Sequence, residues 1–471
     1  MAPQPIDRFD LAIIGAGTAG VAAAVRADEL GARAVLINAG MPPGGTSLHW
    51  GCIPSKHLIQ VARALAAVEQ PPYEAIQTGR VRFDLEEVKA GKEALIRRLR
   101  EDKYLSVLAG MPTVELIEGW ARLLSAHEIE AGGRRITARA IILATGASPR
   151  LPPFEGLERV HAVTSRDALA LEHVPLSLLV VGAGPTGLEL AQLFSRLGSV
   201  VTLFERGPRV LATQEPAVSA ELQRALEEEN IEIFTGASVK RLVPRERRVR
   251  LEVSFRDRSR AFEAESILLA TGQRGNTAGF GLEDVGVGID ERGFVSVNDF
   301  METSAEGILA AGDVTGEPAL ETAAAMEGRL AASNALGAGR ERLDLGALPL
   351  GVFTSPEVAS VGLTEAACRE AHGECRSRTV AMRDVPLAVA SGRERGFLKL
   401  VVTPEERIAG VHIVSDAAIE MVQTAVLAIR HHLSVDDLIR MPHVYPSFGH
   451  ALKLAAQSFR RDVERMSCCI G

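Results

Sequence analysis

Two glycine-rich turns constrain the fold of this 471-residue chain more than any other feature. Each turn follows a short apolar run, precedes a stretch of helical composition and has the spacing GxGxxG. The glycines are Gly15, Gly17 and Gly20 in the first turn and Gly182, Gly184 and Gly187 in the second. Such a turn presents bare backbone and a helix N-terminus to a pyrophosphate. Because the same context occurs twice, the sequence predicts two dinucleotides bound by two α/β units.

The residue that closes the second strand of each unit bears on the choice of nucleotide, because an acidic side chain there binds the ribose hydroxyls. Glu205 occupies this position in the second unit, and Asn38 occupies it in the first. Asn38 can hydrogen-bond a hydroxyl, but without charge assistance. Glu205 repels a 2'-phosphate and favours NADH, whereas the neighbouring Arg206 and Arg209 favour NADPH. The sequence therefore allows either NADH or NADPH as the nucleotide.

The segment 44–56 places one thiol, Cys52, where a bound nucleotide could meet it. A glycine pair precedes the thiol, and an apolar helical run from His57 follows it, so Cys52 is expected near a helix N-terminus. The positive end of that helix, with Lys56 nearby, favours the thiolate form. Without these flanks, a lone cysteine is more simply interpreted as a small buried hydrophobic residue.

The rest of the sequence predicts further helices and strands and one acidic residue that could bind a ligand, Asp313. Periodicity over residues 57–110 predicts two helices, and Gly132 with Gly133 predicts a hairpin turn. Asp313 follows a short apolar strand at the start of a long alanine-rich helix, where it can bind a ribityl hydroxyl or a backbone amide, or simply cap the helix. From about residue 347 the glycine-rich signatures end, which predicts a third, packing domain.

Composition narrows the class of protein. Hydrophobic residues make up 46% and charged residues 24% of the chain, as in an ordinary globular protein. The net charge of −8, without basic tracts, argues against nucleic-acid and membrane partners. No apolar run is long enough to span a bilayer, and residues 1–10 lack the apolar core of a secretion signal. A cytoplasmic location is therefore expected.

The five cysteines are too few for a disulfide framework, which suits a reducing compartment. Cys368 and Cys375 are expected to be core or surface thiols without a role. Cys468 and Cys469 are adjacent on the C-terminal tail, where a soft metal ion or a redox exchange is the better explanation, because chain ends are exposed.

Six short motifs, GAGTAG, GCIPSK, ATG, GAGPTG, a second ATG and AAGD, occur in this order along the chain. The whole chain thereby resembles the flavin-dependent pyridine nucleotide-disulfide oxidoreductases. Within that family it is most similar to the catalytic core of the mercuric reductases, because Tyr445 stands where other members have a catalytic histidine and the chain ends in SCCIG.

The resemblance implies an α/β fold with two Rossmann-like dinucleotide-binding domains and a C-terminal α+β dimerisation domain. Residues 1–150 and 275–346 would bind FAD, residues 151–274 would bind NADH or NADPH, and residues 347–471 would form the dimerisation domain with its Cys-Cys tail. It also implies a homodimer that acts on Hg(II) or another thiophilic small substrate.

The resemblance also implies which residues form the site, by their positions in the shared motifs. The implied catalytic residues are Cys52, Ser47, Lys56, Glu189, Tyr445 and His450. The implied cofactor-binding residues are Gly15, Gly17, Gly20, Asn38, Gly45, Thr46, Cys52, Lys56, Thr145, Gly146, Gly312, Asp313, Gly182, Gly184, Gly187, Glu205, Arg206 and Gly272. The implied metal ligands are Cys52, Cys468 and Cys469. Lys56 would lie near the reactive flavin nitrogen and pair with Glu189.

This sequence departs from the family at the redox pair. Ser47 occupies the position of the first thiol, so the family's disulfide with Cys52 cannot form. A hydroxyl is a hard ligand and Hg(II) prefers thiolate, so the inner site should hold this metal less well. His49, Trp50 and His450 are also unusual here, and a histidine among them could supply a nitrogen ligand or a proton, or be structural.

Three functions follow from these residues. The first is NAD(P)H-dependent reduction of Hg(II) through FAD and thiolates. The second is another flavin reductase that acts on a small disulfide, a quinone or a peroxide through Cys52 alone. The third is a flavin-containing protein that sequesters a soft metal without turnover.

Overall fold

The computed structural model describes residues 7–461 except 72, 74, 80, 171 and 257. These residues form two compact units. The first unit comprises the described residues of Met1–His57, Glu86–Arg150 and Gly272–Leu345, and the second those of Leu58–Leu85, Leu151–Thr271 and Gly346–Gly471. The division into three domains stays a prediction.

The chain alternates strands and helices from its start. The strands are β1 (Asp7–Ile14), β2 (Ala34–Asn38), β3 (Val114–Glu118), β4 (Ala121–Ser125), β5 (Glu128–Ala131), β6 (Arg134–Leu143), β7 (Ala147–Pro149), β8 (Val163–Thr164), β9 (Ser177–Val181), β10 (Val200–Glu205), β11 (Glu232–Thr235), β12 (Ser238–Arg245), β13 (Arg248–Phe255), β14 (Arg258–Ala264), β15 (Ser266–Leu269), β16 (Gln273–Gly275), β17 (Ile308–Ala310), β18 (Leu350–Val352), β19 (Glu357–Gly362), β20 (Arg376–Ala381), β21 (Phe397–Val402) and β22 (Ile408–Ser415). The helices are α1 (Thr18–Glu29), α2 (Gly45–His49), α3 (Cys52–Glu69), α4 (Leu85–Arg100), α5 (Ser106–Ala109), α6 (Ser165–Ala170), α7 (Pro185–Arg196), α8 (Pro216–Glu228), α9 (Glu321–Ala335), α10 (Glu365–His372), α11 (Pro386–Ala390), α12 (Ala418–Arg430), α13 (Val435–Arg440) and α14 (His450–Gln457).

The first unit is built on a mostly parallel sheet. Its parallel strands have the order β3-β2-β1-β6-β17, and the antiparallel strands β5 and β4 extend the sheet beside the first half of β6. Every residue of β2 is buried, as expected for a strand covered on both faces. Helices α1 and α9 pack closely, since a Cβ built on Gly328 would lie 2.1 Å from the carbonyl oxygen of Ala19.

The second unit contains three sheets. One is a parallel sheet of order β11-β10-β9-β15-β8, and β12, β13 and β14 form an antiparallel sheet. The third is a five-stranded antiparallel sheet of order β18-β19-β22-β21-β20, whose core includes apolar residues of α12 and α14. The predicted α/β class, with two strand-turn-helix nucleotide folds and a C-terminal α+β segment, is confirmed.

Of two local predictions, the hairpin is confirmed and the position of Asp313 at the start of a long helix is wrong. The hairpin is confirmed: Gly132 and Gly133, with φ of +56° and +74°, join β5 to β6 in the backbone conformation of a two-residue turn. Asp313 is not at the start of the long helix, because it lies in a 3₁₀ turn (Asp313–Thr315) and α9 begins only at Glu321. The helix-cap alternative for Asp313 is therefore wrong with respect to α9.

The expectation for two cysteines is also wrong. Cys368 and Cys375 are buried, as a core position requires, but they form a disulfide with each other rather than remaining thiols. Helix α10 ends at His372, and Gly373 turns the chain back at φ +80°, which brings the two Cα atoms to 6.0 Å. This separation lies within the range that a disulfide can span.

In the part of the chain that the structure describes, no helix is both long and apolar enough to cross a membrane. The cytoplasmic location stays a prediction.

Candidate functional site

The first glycine turn forms a cradle at the N-terminus of α1. A Cβ on Gly20 would lie 1.8 Å from the carbonyl oxygen of Gly15, and a Cβ on Gly15 would lie 2.2 Å from that of Ala144. Gly17 differs, because the nearest atom to its Cβ position is the Cα of Gly45 at 3.8 Å. The structure therefore brings Gly15, Gly17, Gly20 and Gly45 together, with the strand end of β6 beneath them.

The second glycine turn repeats this arrangement at the N-terminus of α7. A Cβ on Gly187 would lie 1.9 Å from the carbonyl oxygen of Gly182, and a Cβ on Gly182 would lie 2.3 Å from the carbonyl oxygen of Ala270. Apart from its chain neighbours and the backbone of its own helix, no atom of the described residues lies within 4 Å of a Cβ on Gly184. In both turns the protein packing requires two of the glycines, whereas a Cβ on the third, Gly17 or Gly184, would meet no steric clash. This geometry fits a pyrophosphate laid against each helix N-terminus.

The two strand-end residues make equivalent hydrogen bonds. Asn38 Oδ1 accepts from the backbone N–H of Ala16 at 3.3 Å, and Glu205 Oε2 accepts from that of Ala183 at 2.8 Å. Asn38 also donates from Nδ2 to the carbonyl oxygen of Met41, and Glu205 Oε1 accepts from the N–H of Gly207. Each oxygen retains a lone pair that can accept from a ribose hydroxyl.

The two arginines beside Glu205 behave differently. Arg206 is exposed, whereas Arg209 donates to the carbonyl oxygen of Ala212 at 2.7 Å and so stabilises its own loop. These contacts do not distinguish the two nucleotides, so the choice between NADH and NADPH stays a prediction.

Asp313 shares its surroundings with a second carboxyl that the sequence did not single out. Glu327, on α9, is 4% exposed, and its Oε2 accepts from the N–H of Gly312 at 2.7 Å. Burial raises the pKa of Asp313. Burial and then the charge of Asp313 raise the pKa of Glu327 to about 7, against the effect of the Gly312 hydrogen bond. An acidic residue in a helix otherwise rich in alanine was the signal available in the sequence.

The predicted residues Thr145, Gly146 and Gly272 also lie in the first unit. The hydroxyl of Thr145 donates to the carbonyl oxygen of Asn276 at 2.7 Å, and Asn276 Nδ2 donates back to that of Thr145. Gly146 lies beside this pair, and the carbonyl oxygen of Gly272 accepts from the N–H of Arg150. The hydroxyl of Thr145 thus has a protein partner, and its proposed contact with FAD stays a prediction.

A tight turn positions Cys52. Thr46 and Ser47 lie in the short helix α2, and a Cβ on Gly51 would lie 2.9 Å from the carbonyl oxygen of Thr46 and 3.3 Å from the Cα of Ser47. The chain therefore folds back on Ser47 just before Cys52, which is the first residue of α3 and is half-buried. The placement of Cys52 at a helix N-terminus is confirmed, and it is the one free cysteine among the described residues.

Two further side chains belong to this part of the first unit. His49 Nε2 lies 3.2 Å from the carbonyl oxygen of Pro43, and burial lowers the pKa of His49. Tyr104 lies in a π-helical turn (Glu101–Leu105). Burial raises the pKa of Tyr104, and the negative charges of Glu321 and then of Cys52 add to this. Helical periodicity missed Tyr104, because a π turn shifts the register of the residues that follow.

Other predicted residues lie in the second unit. Glu189 on α7 is 6% exposed, and its Oε1 accepts from the N–H of Phe353 at 2.9 Å. Its predicted pairing with Lys56, which belongs to the first unit, stays a prediction. Tyr445 and His450 do lie together, with ring centroids 5.7 Å apart. Cys468 and Cys469 lie outside the described residues.

Most of the chain matches known protein families. Residues 9–328 match the family described as pyridine nucleotide-disulphide oxidoreductase. The chain belongs to this family. Residues 348–456 match its dimerisation domain, which supports the expected homodimer. Membership implies FAD and NAD(P)H as cofactors and an oxidoreductase activity, so the predicted family and the coarse class of enzyme are confirmed.

Relatives within the oxidoreductase family cover nearly the whole chain. A mercuric reductase from Lysinibacillus sphaericus is 36% identical over 99% of this chain and 85% of its own length. A mercuric reductase from Streptomyces lividans is 37% identical over 98% of both chains. Among solved structures, the Cu(II) complex of the HOCl-induced flavoprotein disulfide reductase RclA from Escherichia coli matches 96% of this chain and 99% of its own, with a TM-score of 0.85 and 26% identity.

Proposed function

We propose that this chain is an NAD(P)H-dependent mercury(II) reductase in which Cys52 is the thiol that holds the metal for reduction. The observation that carries this proposal is the position of Cys52 at the first residue of α3, on a turn packed against the first glycine cradle. The mercuric reductases that match the full chain at 34–37% identity support the choice of substrate. The net reaction converts Hg(II) and NAD(P)H into Hg(0), NAD(P)⁺ and a proton.

FAD would accept the hydride of NAD(P)H and supply two electrons to the metal. The chain's residues position the reactants. Gly17 and Gly184 leave space for the two pyrophosphates, and Asp313 would bind the ribityl chain. In this proposal residues 1–150 and 275–346 bind FAD, and residues 151–274 bind the nicotinamide nucleotide. Glu205 accepts two backbone N–H bonds and would also accept from the ribose hydroxyls, which favours NADH.

The metal would pass between soft ligands. The partner subunit's Cys468 and the partner subunit's Cys469 would take up Hg(II) and transfer it to Cys52, with Tyr445 lining the route and Lys56 paired with Glu189 near the flavin. Thiolates suit this ion, and the hydroxyl of Ser47 does not. The inner site therefore offers one thiolate where the family offers two, so metal turnover should be slower than with a thiol at residue 47.

The decisive experiment is anaerobic NAD(P)H oxidation by the FAD-loaded protein with and without Hg(II). Hg(II) should stimulate oxidation, Cys52→Ser should abolish the stimulation, and Ser47→Cys should increase it. Ser296→Cys is the matched control, because it adds an exposed thiol elsewhere in the first unit. If Hg(II) fails to stimulate oxidation even in Ser47→Cys, the mercury assignment is wrong.

The similarity to RclA favours a second candidate, a flavin reductase of the same family with a different acceptor. That protein is described as a disulfide reductase and was solved with Cu(II). A panel of lipoamide, glutathione disulfide, a quinone, hydrogen peroxide, Cu(II) and Hg(II) separates the candidates. Anaerobic addition of NAD(P)H that causes no flavin bleaching would instead favour metal sequestration without turnover.

A further inference from the structure

Two histidines of the second unit face each other with unpaired ring nitrogens. His443 lies in the loop between α13 and α14, and His450 is the first residue of α14. Their ring centroids are 6.3 Å apart, and the ring planes are nearly perpendicular at 88°. His443 Nε2 and His450 Nδ1 are both buried, and neither has a hydrogen-bond partner among the described residues. Such orphaned polar atoms in a native protein call for a ligand, an ion or a water.

The hydrogen bond of His443 fixes which of its nitrogens can bind an ion. Its Nδ1 lies 3.0 Å from the carbonyl oxygen of Met441, and a carbonyl oxygen can only accept, so Nδ1 carries the proton. The lone pair is then on Nε2. A histidine that donates one ring N–H to a backbone carbonyl and presents the other nitrogen is the usual arrangement of a metal ligand.

Both rings are suited to coordination at neutral pH. Burial lowers the pKa of His443, and burial together with the nearby charge of His443 lowers that of His450. A lowered pKa favours the neutral imidazole, which is the state in which histidine binds metals. Lys453, one turn along α14, contributes positive charge that opposes any cation. An ion must therefore be held by coordination bonds rather than by charge.

The spacing of the rings restricts the coordination geometry. With metal–nitrogen bonds of about 2 Å, each ring centroid lies roughly 3 Å from the ion, so centroids 6.3 Å apart require the two nitrogens to bind on nearly opposite sides of it. Tyr445, whose side chain is adjacent to His450, is 46% exposed, so the pair lies close to the surface.

We propose that His443 and His450 form a binding site for a divalent transition metal that accepts ligands on opposite sides, such as Ni(II) or Cu(II). Imidazole nitrogens select these ions over Mg(II) and Ca(II), which prefer oxygen ligands. Two protein ligands leave coordination positions open to water or to an incoming ligand, as in sites that exchange their ligands. His450 is also one of the residues that the resemblance assigns to catalysis, but binding of such an ion by the two imidazoles requires neither Cys52 nor turnover.

The test is calorimetric titration of the FAD-loaded protein with Ni(II), in the absence of NAD(P)H. A background with Cys52, Cys468 and Cys469 changed to serine removes the thiols that would compete for the ion. This background should bind one Ni(II) per chain, and His443→Gln and His450→Gln should each weaken binding at least about tenfold. His431→Gln is the matched control, because His431 is an exposed histidine of the same unit. Mg(II) should give no binding.

A second measurement needs no histidine variant. Ni(II) should protect the peptide containing residues 443–450 from diethylpyrocarbonate, while His431 remains reactive. The proposal is overturned if Ni(II) binding is unchanged in both variants, if His431→Gln removes it equally, or if the background binds no Ni(II) and shows no protection. The last result would mean that water satisfies the two nitrogens. Loss of Hg(II)-stimulated turnover in the thiol-free background bears only on the proposed function.

Discussion

Replacing Glu327 with glutamine should make the protein more stable at alkaline pH but not at acidic pH. Glu327 is 4% exposed, and its Oε2 accepts from the N–H of Gly312 at 2.7 Å, a bond that the amide oxygen of glutamine can also accept. Burial and the charge of Asp313 raise the pKa of Glu327 from an ordinary 4.5 to about 7. A carboxyl whose pKa is higher in the folded state contributes its full stability below the unfolded pKa, and this contribution is lost as pH rises through the folded pKa.

The size of the effect follows from the two pKa values. The difference between 4.5 and about 7, at 1.36 kcal/mol per pKa unit, corresponds to about 3 kcal/mol. The wild type should lose about this much stability between pH 4.5 and pH 8, whereas Glu327→Gln has no charge to bury and should not. Since 1 kcal/mol shifts the melting temperature of a domain of 150–250 residues by about 2–4 °C, the variant should melt roughly 6–12 °C higher at pH 8.

The measurement is thermal unfolding of the FAD-loaded protein between pH 5 and pH 9, followed by flavin fluorescence. Glu306→Gln is the matched control, because it neutralises an exposed carboxylate of the same unit. The melting temperatures of the wild type and Glu327→Gln should separate as pH rises, and those of Glu306→Gln should follow the wild type. Parallel curves for Glu327→Gln and the wild type would refute the assignment of a buried, protonated carboxyl.

Three further outcomes are expected. Gly184→Ala should leave the melting temperature unchanged and raise KM for NAD(P)H. Gly187→Ala should lower the melting temperature, because its Cβ would lie 1.9 Å from a carbonyl oxygen. Equal effects of the two variants on the melting temperature would contradict this expectation. Lys399→Met should destabilise the protein by about 3–5 kcal/mol in denaturant titration, because it leaves the buried Glu215 carboxylate without its cation at 2.9 Å. Cys375→Ser should lower the free energy of unfolding by about 2 kcal/mol, because the disulfide that closes a short loop is lost. A non-reducing peptide map that shows free thiols at Cys368 and Cys375 in the wild type would disprove the pairing.

Patterns that are local in sequence predicted the parts of the fold that local physics determines. The strand-turn-helix units, the Gly132-Gly133 hairpin and the helix start at Cys52 each depend on residues within a few positions of one another. Glu327 was not predicted, because its role depends on an approach to Gly312, fifteen residues away, that only the packed helix creates. The Cys368–Cys375 pairing was missed because it depends on the turn at Gly373 rather than on cysteine count.

The two glycine cradles share steric requirements but differ in charge, and this difference bears on how each would hold its nucleotide. In both, a side-chain oxygen at the strand end accepts from the N–H that follows the first glycine, so Asn38 and Glu205 have the same structural task. Glu205 adds a negative charge that strengthens hydrogen bonds to ribose hydroxyls, and Asn38 does not. In the proposed function, FAD at the first cradle would therefore gain more of its affinity from the pyrophosphate backbone contacts and from Asp313. The nicotinamide nucleotide at the second cradle would in addition gain charge-assisted hydrogen bonds from Glu205 to its ribose.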